Sequence, residues 1–114
     1  MKAKVGKQDN LRFDGVKFYS VHCDILGSPK ENTEIDLDIV PKVMYNTSTQ
    51  FNIVYDINLS VDEVFTLQLK AVGYFEISEE LLENENIKEQ MVNTNAPAIV
   101  FPYLRSFISM FTSN

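Results

Sequence analysis

Alternation of apolar and polar residues runs through the first two-thirds of the chain and predicts β-strands there. The segment Glu34–Ile39 shows it most clearly, because Ile35, Leu37 and Ile39 occupy every second position and acidic residues fill the positions between them. Side chains of a strand point alternately to its two faces, so these three aliphatic residues share one side. The segment therefore predicts a strand with one apolar face and one acidic face.

Three further segments, 16–25, 51–59 and 64–77, show the same period of two. Gly73 interrupts the apolar face of the last one, which predicts a bulge or a close approach of another backbone. The links between the last three strands are short and polar, as in hairpins, whereas the turn-rich link 27–32 is too long for a tight hairpin. Four successive strands predict an antiparallel sheet with one covered and one polar face. In the first strand the residues expected to share a face are Tyr19, Val21, Cys23 and Ile25.

The composition changes after Ile77, where acidic residues become frequent and the pattern becomes helical. Ser78 is a candidate N-cap of a short helix, and 87–92 predicts a helical turn. We expect Asn93–Asn95 to break that turn and Asn95 to cap a new helix, with Pro97 in its first turn, where the missing N–H is harmless. The acidic residues of this region are expected to be solvated.

Pro102 leaves two alternatives for the last segment. It either lies inside a kinked helix that runs from Ala96 to Phe111, or it starts a shorter helix behind an extended stretch. In both cases one stripe is apolar, and other large apolar residues fall outside it. One sheet covers one side of a helix, so we expect a second copy of the chain to cover another side. The stripe comprises Val100, Leu104, Phe107 and Phe111, and the residues outside it are Tyr103 and Met110.

Length and composition predict a single globular domain over residues 1–114. A single cysteine, Cys23, rules out an internal disulfide bond and fits a reducing compartment. The net charge of −6 argues against nucleic-acid binding, which requires basic residues. No apolar run is long enough to cross a bilayer, and the N-terminus does not resemble a secretory signal. We therefore expect a cytoplasmic protein without membrane insertion.

Catalytic and metal-binding groups are scarce. Ser20, His22 and Asp24 alternate along one predicted strand, but residues two apart lie about 6.6 Å from each other, too far for a catalytic triad with two aligned contacts. His22 and Cys23 point to opposite faces, and one His with one Cys cannot form a zinc site. Asp36 and Asp38 lack a ligand-rich loop for a cation. The sequence predicts no cofactor, no metal and no enzymatic activity.

Several segments together resemble the SecB family of bacterial protein-export chaperones. Asn95-Ala-Pro97, followed by Val-Phe-Pro-Tyr-Leu-Arg105 and by Ser-Met-Phe-Thr-Ser, resembles that family's first long helix. Glu34-Ile-Asp-Leu-Asp38 resembles its second strand, and Gly73-Tyr-Phe-Glu-Ile77 resembles the end of its fourth strand. The order of four strands followed by a helix also matches.

The resemblance implies an α+β fold, a four-stranded antiparallel sheet followed by a C-terminal helix, in chains that assemble as a dimer of dimers. It implies an ATP-independent holdase that binds unfolded or precursor polypeptides in apolar grooves and passes them to the translocation ATPase SecA. Relatives of this family serve as dedicated antitoxin chaperones. By position, Ile35 and Leu37 match groove-lining, peptide-binding residues, and the loop 27–32 matches the loop that bounds the groove.

Two departures from the family pattern keep alternatives open. Family members usually continue into a second helix, so we expect part of the groove wall to be absent from these 114 residues. Gln68 stands where the family has an acidic contact to the ATPase, and Thr66 replaces an apolar neighbour. The alternatives to an export holdase are an antitoxin chaperone, an adaptor module with the same fold and no groove, and a small hydrolase that uses His22.

Overall fold

A four-stranded antiparallel sheet forms the body of the protein. The computed structural model describes residues 10–28 and 34–112. The strand order β1-β4-β3-β2 places β1 at one edge and β2 at the other. This architecture confirms the α+β fold, although every strand differs from its predicted bounds by one or more residues. The strands are β1 (Leu11–Ile25), β2 (Ile35–Tyr45), β3 (Gln50–Val61) and β4 (Phe65–Ile77).

The connections follow from this strand order. Short turns join β2 to β3 and β3 to β4, which confirms the two predicted hairpins. The link between β1 and β2 joins opposite edges of the sheet, and this explains why 27–32 is too long for a hairpin. Its start is fixed where Leu26 and Gly27 donate backbone hydrogen bonds to the carbonyl of Val64. Residues 29–33 lie outside the described part of the chain.

The core lies on the face of the sheet that carries the helices, here called the helix-side face. The other face is called the outer face, and no described helix packs on it. Every second residue of β3, from Phe51 to Leu59, is buried on the helix-side face, as the alternation predicted. The buried residues of this face in β3 and β4 that belong to the main core are Phe51, Ile53, Tyr55, Ile57, Leu69, Ala71, Phe75 and Ile77.

Helical residues follow β4 almost without interruption. A 3₁₀ turn (Glu79–Glu83) leads to α1 (Glu85–Gln90), a π-helical turn (Met91–Asn95) and α2 (Ala96–Thr112). The predicted cap at Ser78 is wrong, because its hydroxyl donates to the side chain of Asn10 instead of capping the turn. The residue that caps α1 is Asn84, whose side chain accepts a hydrogen bond from the backbone N–H of Ile87.

The predicted break at residues 93–95 is also wrong. The chain stays helical there through the wider π turn, and Asn95 contacts the Met91 sulfur at 3.4 Å instead of capping a new helix. A π turn accommodates one extra residue without ending the helix, so the polar Asn-Thr-Asn run is tolerated. Met91 and Val92 are buried in the core, which compensates for the weak helical preference of this run.

Pro102 lies inside α2, so the first of the two alternatives for this segment holds. The proline is exposed on the side of the helix away from the sheet. Val100 and Leu104 are fully buried, and Phe107 stacks on Phe18 of β1 with ring centroids 3.9 Å apart. Three of the four residues of the predicted stripe therefore form the surface by which α2 packs against the sheet, and the fourth, Phe111, contacts the Phe107 ring.

Gly73 lies directly under α2. A Cβ atom at this position would be 2.7 Å from a methyl group of Val100 and 3.2 Å from the Phe75 ring. Gly73 itself pairs in register with Val16 of β1 and Ile53 of β3, and the neighbouring bulge lies in β1, between Phe13 and Gly15, so the sequence signal at Gly73 reflects a close approach. The missing side chain lets the helix approach the central strand.

The predicted face of β1 is wrong. Its register with β4 shifts between Tyr19 and His22, where Ser20 has a positive φ of 52°. Tyr19 pairs with Lys70 on the outer face, whereas Cys23 pairs with Leu67 on the helix-side face. The β-bulge adds a residue and reverses the alternation, so Tyr19 does not share a face with Cys23 and Ile25.

Candidate functional site

Two rows of side chains cross the helix-side face at the end of the sheet that carries the β3–β4 turn. They lie in register across all four strands, and seven of the eight residues are large and apolar. Leu59 and Leu67 are buried but do not belong to the main core under α2. We call this surface the apolar end. The row nearer the β3–β4 turn is Ile25, Phe65, Val61 and Ile35, and the row farther from that turn is Cys23, Leu67, Leu59 and Leu37.

The flanks of the apolar end are open. Ile35 is 67% exposed and Leu37 is 51% exposed on β2, while Ile25 on β1 is 83% exposed. Leu26, which follows β1, is also exposed. Both residues predicted from the sequence, Ile35 and Leu37, thus lie on the same apolar face, and the register brings Leu37 beside the buried Leu59.

Sequence reasoning missed Ile25 and Leu26 as members of this surface. The sequence placed Ile25 on an apolar face of β1 but did not link it to Ile35 and Leu37. Ile25 belongs to the apolar end because the strand order pairs β1 with β4. The only local signal is the apolar pair immediately before the turn-rich link, which stands where a strand leaves the sheet.

Acidic residues border the apolar end on β2. Glu34, Asp36 and Asp38 alternate with the exposed aliphatic residues and are all exposed. Asp36 and Asp38 line a shallow depression together with amide and hydroxyl side chains of β3 and β4 and with Leu37, Leu59 and Leu67. Gln68 and Thr66, the two departures from the family pattern, lie in the same depression. Within residues 10–28 and 34–112, no group of acidic, His and Cys side chains could hold a metal ion.

The residues of the rejected triad do not assemble. His22 Nε2 lies 3.0 Å from Asp24 Oδ2, and both side chains are exposed. Ser20 lies in the β-bulge and makes no hydrogen bond to His22 among the described residues. Cys23 points to the other face, as predicted. The arrangement is a single surface contact and provides no activated nucleophile.

Two tyrosines are the titratable groups with informative surroundings. The hydroxyl groups of Tyr19 and Tyr74 are 2.6 Å apart on the outer face, and this hydrogen bond raises the pKa of Tyr74. Burial raises the pKa of Tyr55 to about 12, and its hydroxyl has no hydrogen-bond partner among the described residues. Neither group lies at the apolar end.

Exposed apolar side chains flank the packed stripe of α2, with Phe101 on one side of the stripe and Tyr103 and Met110 on the other. Phe101 is 44% exposed, Tyr103 is 47% exposed and Met110 is 69% exposed, and the guanidinium of Arg105 lies 5.8 Å from the Phe101 ring centre. The sequence placed Tyr103 and Met110 outside the packed stripe, which the structure bears out. Phe101 was not singled out from the sequence.

Comparisons with known proteins agree with this geometry. The family described as "Preprotein translocase subunit SecB" matches residues 19–114. Among solved structures, one similar chain is a Mycobacterium tuberculosis SecB-like chaperone, Rv1957, in complex with a ChAD peptide from the Rv1956 HigA1 antitoxin. The match has a TM-score of 0.75 at 16% identity and covers 93% of this chain and 83% of that one. No curated protein matches the sequence.

No helix among the described residues is long and apolar enough to cross a membrane. The sheet followed by a C-terminal helix has the fold of the mycobacterial chaperone, and the family match covers the chain from the middle of β1 to its last residue. The structure and the comparison therefore agree on all four strands and on α2. This chain belongs to the SecB family.

Proposed function

We propose that this chain is an ATP-independent chaperone of the cytoplasm, a holdase that binds unfolded polypeptides at the apolar end and is not an enzyme. Family membership supports the chaperone role. The observation that carries the proposed site is the exposure of Ile35 and Leu37 on the sheet face whose middle forms the buried core.

The chemistry of the apolar end suits clients of varied sequence. Unfolded chains share apolar side chains, and their burial contributes about 25 cal/mol per Å² without any fixed polar geometry. Ile35 and Leu37 are half to two-thirds exposed, so covering either one is worth roughly 1–2 kcal/mol, and a few such contacts support reversible binding. The net charge of −6 provides repulsion that keeps such a surface from self-aggregation.

The test is suppression of aggregation without ATP. The wild-type protein should delay the light scattering of a client diluted from denaturant, and the double variant Ile35→Ser/Leu37→Ser should lose most of this delay. Val40→Ser is the matched control, because Val40 is 50% exposed on the same strand but on the outer face. A wild-type protein that does not delay aggregation, or equal losses in both variants, would refute the proposal.

Two roles are candidates for the binding of clients by this chaperone, protein export and antitoxin binding. Export through SecA is supported by the family description, and antitoxin binding is supported by the likeness to a chaperone that was solved with an antitoxin peptide. Gln68 stands where the family has an acidic contact to the ATPase, and Thr66 replaces an apolar neighbour, so export through SecA has weaker support than the binding of unfolded chains. Titration with purified SecA distinguishes them, because an export chaperone should bind it. An adaptor module would retain one specific partner and would not bind unfolded chains in general.

Self-association to a dimer or tetramer is part of the proposal. It is supported by exposed apolar side chains on both flanks of α2, with Phe101 on one side of the packed stripe and Tyr103 and Met110 on the other. Light scattering coupled to gel filtration should give a particle of at least two chains, and a monomer at all concentrations would contradict this part of the proposal.

A further inference from the structure

Basic side chains are concentrated on the outer face of the sheet. Six Lys and Arg residues fall within residues 10–28 and 34–112, and four of them lie on this face. Two of the four, Arg12 and Lys70, form ion pairs with neighbouring carboxylates. The other two, Lys17 and Lys42, are exposed and have no carboxylate partner in the described part of the chain. The outer face therefore carries two uncompensated positive charges, although the chain as a whole is acidic.

These two lysines stand at the ends of one row of side chains, here called the lysine row. The row crosses all four strands in register and consists of Lys17 of β1, Val72 of β4, Val54 of β3 and Lys42 of β2. Adjacent strands lie about 4.8 Å apart, so the backbones of the two lysines are about 14 Å apart. The row thus presents an apolar centre with a cation on each side.

A shallow depression adjoins the Lys17 end of the lysine row. Its lining includes Asp14, Lys17, Tyr74 and the amide side chains of Asn46, Gln50 and Asn52. The Lys17 ammonium lies 5.8 Å from the centre of the Tyr74 ring. Asn46 donates to the side-chain oxygen of Asn52 at 3.2 Å, which leaves the Asn52 amide nitrogen as a donor. Because Arg12 binds the carboxylate of Asp14 at 2.8 Å, the depression offers mainly ammonium and amide donors, which suit a carboxylate.

The shape and charge of the lysine row fit an acidic amphipathic helix. A helix with its side chains is about 10–12 Å across. Laid along β3, such a helix would place its apolar stripe on Val54, and acidic residues on its two flanks would reach Lys17 and Lys42. Met44, which is 47% exposed and lies opposite Asn52 on the same face, extends the apolar contact.

Other occupants fit this surface less well. Valines and not further donors separate the two lysines, which favours an elongated ligand over a small anion. The net charge of −6 disfavours nucleic acid. The acidic segment of a second copy, residues 79–89, is a 3₁₀ turn followed by part of the six-residue α1, and Ile87 is its one exposed large apolar residue. Copies joined through two different surfaces would also form open chains unless the rotation closes a ring.

We propose that the lysine row is a docking site for an acidic amphipathic helix of another protein. Lys17 and Lys42 bind carboxylates on the two flanks of that helix, and Val54 and Met44 contact its apolar stripe. The site is separate from the apolar end, which lies on the opposite face of the sheet, so client and partner can bind together. It is also separate from Gln68, which lies four residues further along β4, about 13 Å from the lysine row.

A synthetic helical peptide tests the charge preference. The probe has about 18 residues, with leucine at every third or fourth position and glutamate on both flanks. A tryptophan in the leucine stripe reports binding, because the chain itself has none. Lys17→Glu and Lys42→Glu should each weaken binding about fivefold, since each replaces an exposed attraction by a repulsion. Lys88→Glu is the matched control, because it changes the net charge equally on α1 and should change the affinity less than about twofold.

Three further measurements separate the lysine row from the client surface. Met44→Ser should weaken peptide binding about two- to threefold through lost apolar contact. Ile35→Ser/Leu37→Ser should bind the acidic peptide as tightly as the wild type. In that background a peptide with lysine in place of glutamate should bind at least tenfold more weakly, and added salt should reduce this difference.

Several results would overturn the docking site. These are equal losses in Lys42→Glu and Lys88→Glu, equal affinity for the two peptides, no binding of the acidic peptide, or its loss in the Ile35→Ser/Leu37→Ser variant. None of them touches the holdase proposal, which is tested by the suppression of client aggregation.

Discussion

The contact between Gly73 and Val100 offers the sharpest test of how α2 packs on the sheet. A methyl group at position 73 would lie 2.7 Å from Val100 Cγ2, closer than two carbon atoms approach without displacement. Overpacking of this kind costs about 1–3 kcal/mol. Replacing a strand glycine returns about 0.5–1 kcal/mol through backbone entropy. We expect Gly73→Ala to destabilise the protein by about 1 kcal/mol, the difference between the middles of these two ranges.

Removing the opposing methyl groups should relieve this clash. Val100→Ala alone deletes two buried methyl groups and should cost about 2–3 kcal/mol, including the cavity it leaves. In the double variant the methyl group introduced at position 73 occupies part of that cavity. We therefore expect the double variant to be more stable than the sum of the single effects by about 1 kcal/mol or more.

Thermal and urea unfolding at one protein concentration measure these differences. The chain has no tryptophan, so far-UV circular dichroism is the suitable signal. For a domain of this size, 1 kcal/mol corresponds to a shift of about 3–6 °C in Tm. Gly73→Ala combined with Ile87→Ala is the control, because Ile87 is exposed on α1 and the two effects should add. If the stability losses of Gly73→Ala and Val100→Ala add within about 0.5 kcal/mol in the double variant, α2 does not pack directly against Gly73.

Three further predictions concern buried and exposed side chains. Burial raises the pKa of Tyr55 to about 12, so this tyrosine ionises first in the unfolded state, and the free energy of unfolding should fall between pH 10 and 12. Tyr55→Phe should lack this loss. The variant should also keep full stability at neutral pH, because the Tyr55 hydroxyl has no hydrogen-bond partner among the described residues. Leu104→Asp and Phe107→Asp should lower the free energy of unfolding by several kcal/mol, since both side chains pack under α2; unchanged urea midpoints would contradict this. Met110→Asp should instead reduce the particle mass in light scattering with little change in unfolding, since Met110 is 69% exposed.

The acidic–apolar alternation of residues 34–39 allowed the correct prediction of a strand and of its two faces. The side of β2 on which Ile35, Leu37 and Ile39 lie follows from period two alone, and the register confirms it. Likewise the spacing of Val100, Leu104 and Phe107 predicts the stripe by which α2 packs. These features were predictable because they depend only on local backbone periodicity.

The failures share a different cause. Ser20 adopts a positive φ in a bulge that reverses the alternation of β1, and nothing in the local pattern signals this. Asn93–Asn95 reads as a helix break, yet buried neighbours hold it in a π turn. In both places tertiary packing outweighs local preference, because the energy of the core exceeds the small differences between backbone states.

The sequence by itself determined the four strands, the helical C-terminus and the exposed or buried side of most regular elements, with β1 as the exception. Only the tertiary structure decided that β1 and β2 lie at opposite edges and that Ile25 joins Ile35 at one end of the sheet. Strand order and edge position depend on contacts between residues far apart in the chain. Periodicity carries no information about such contacts, because it records which face a side chain takes and not which strand lies beside it.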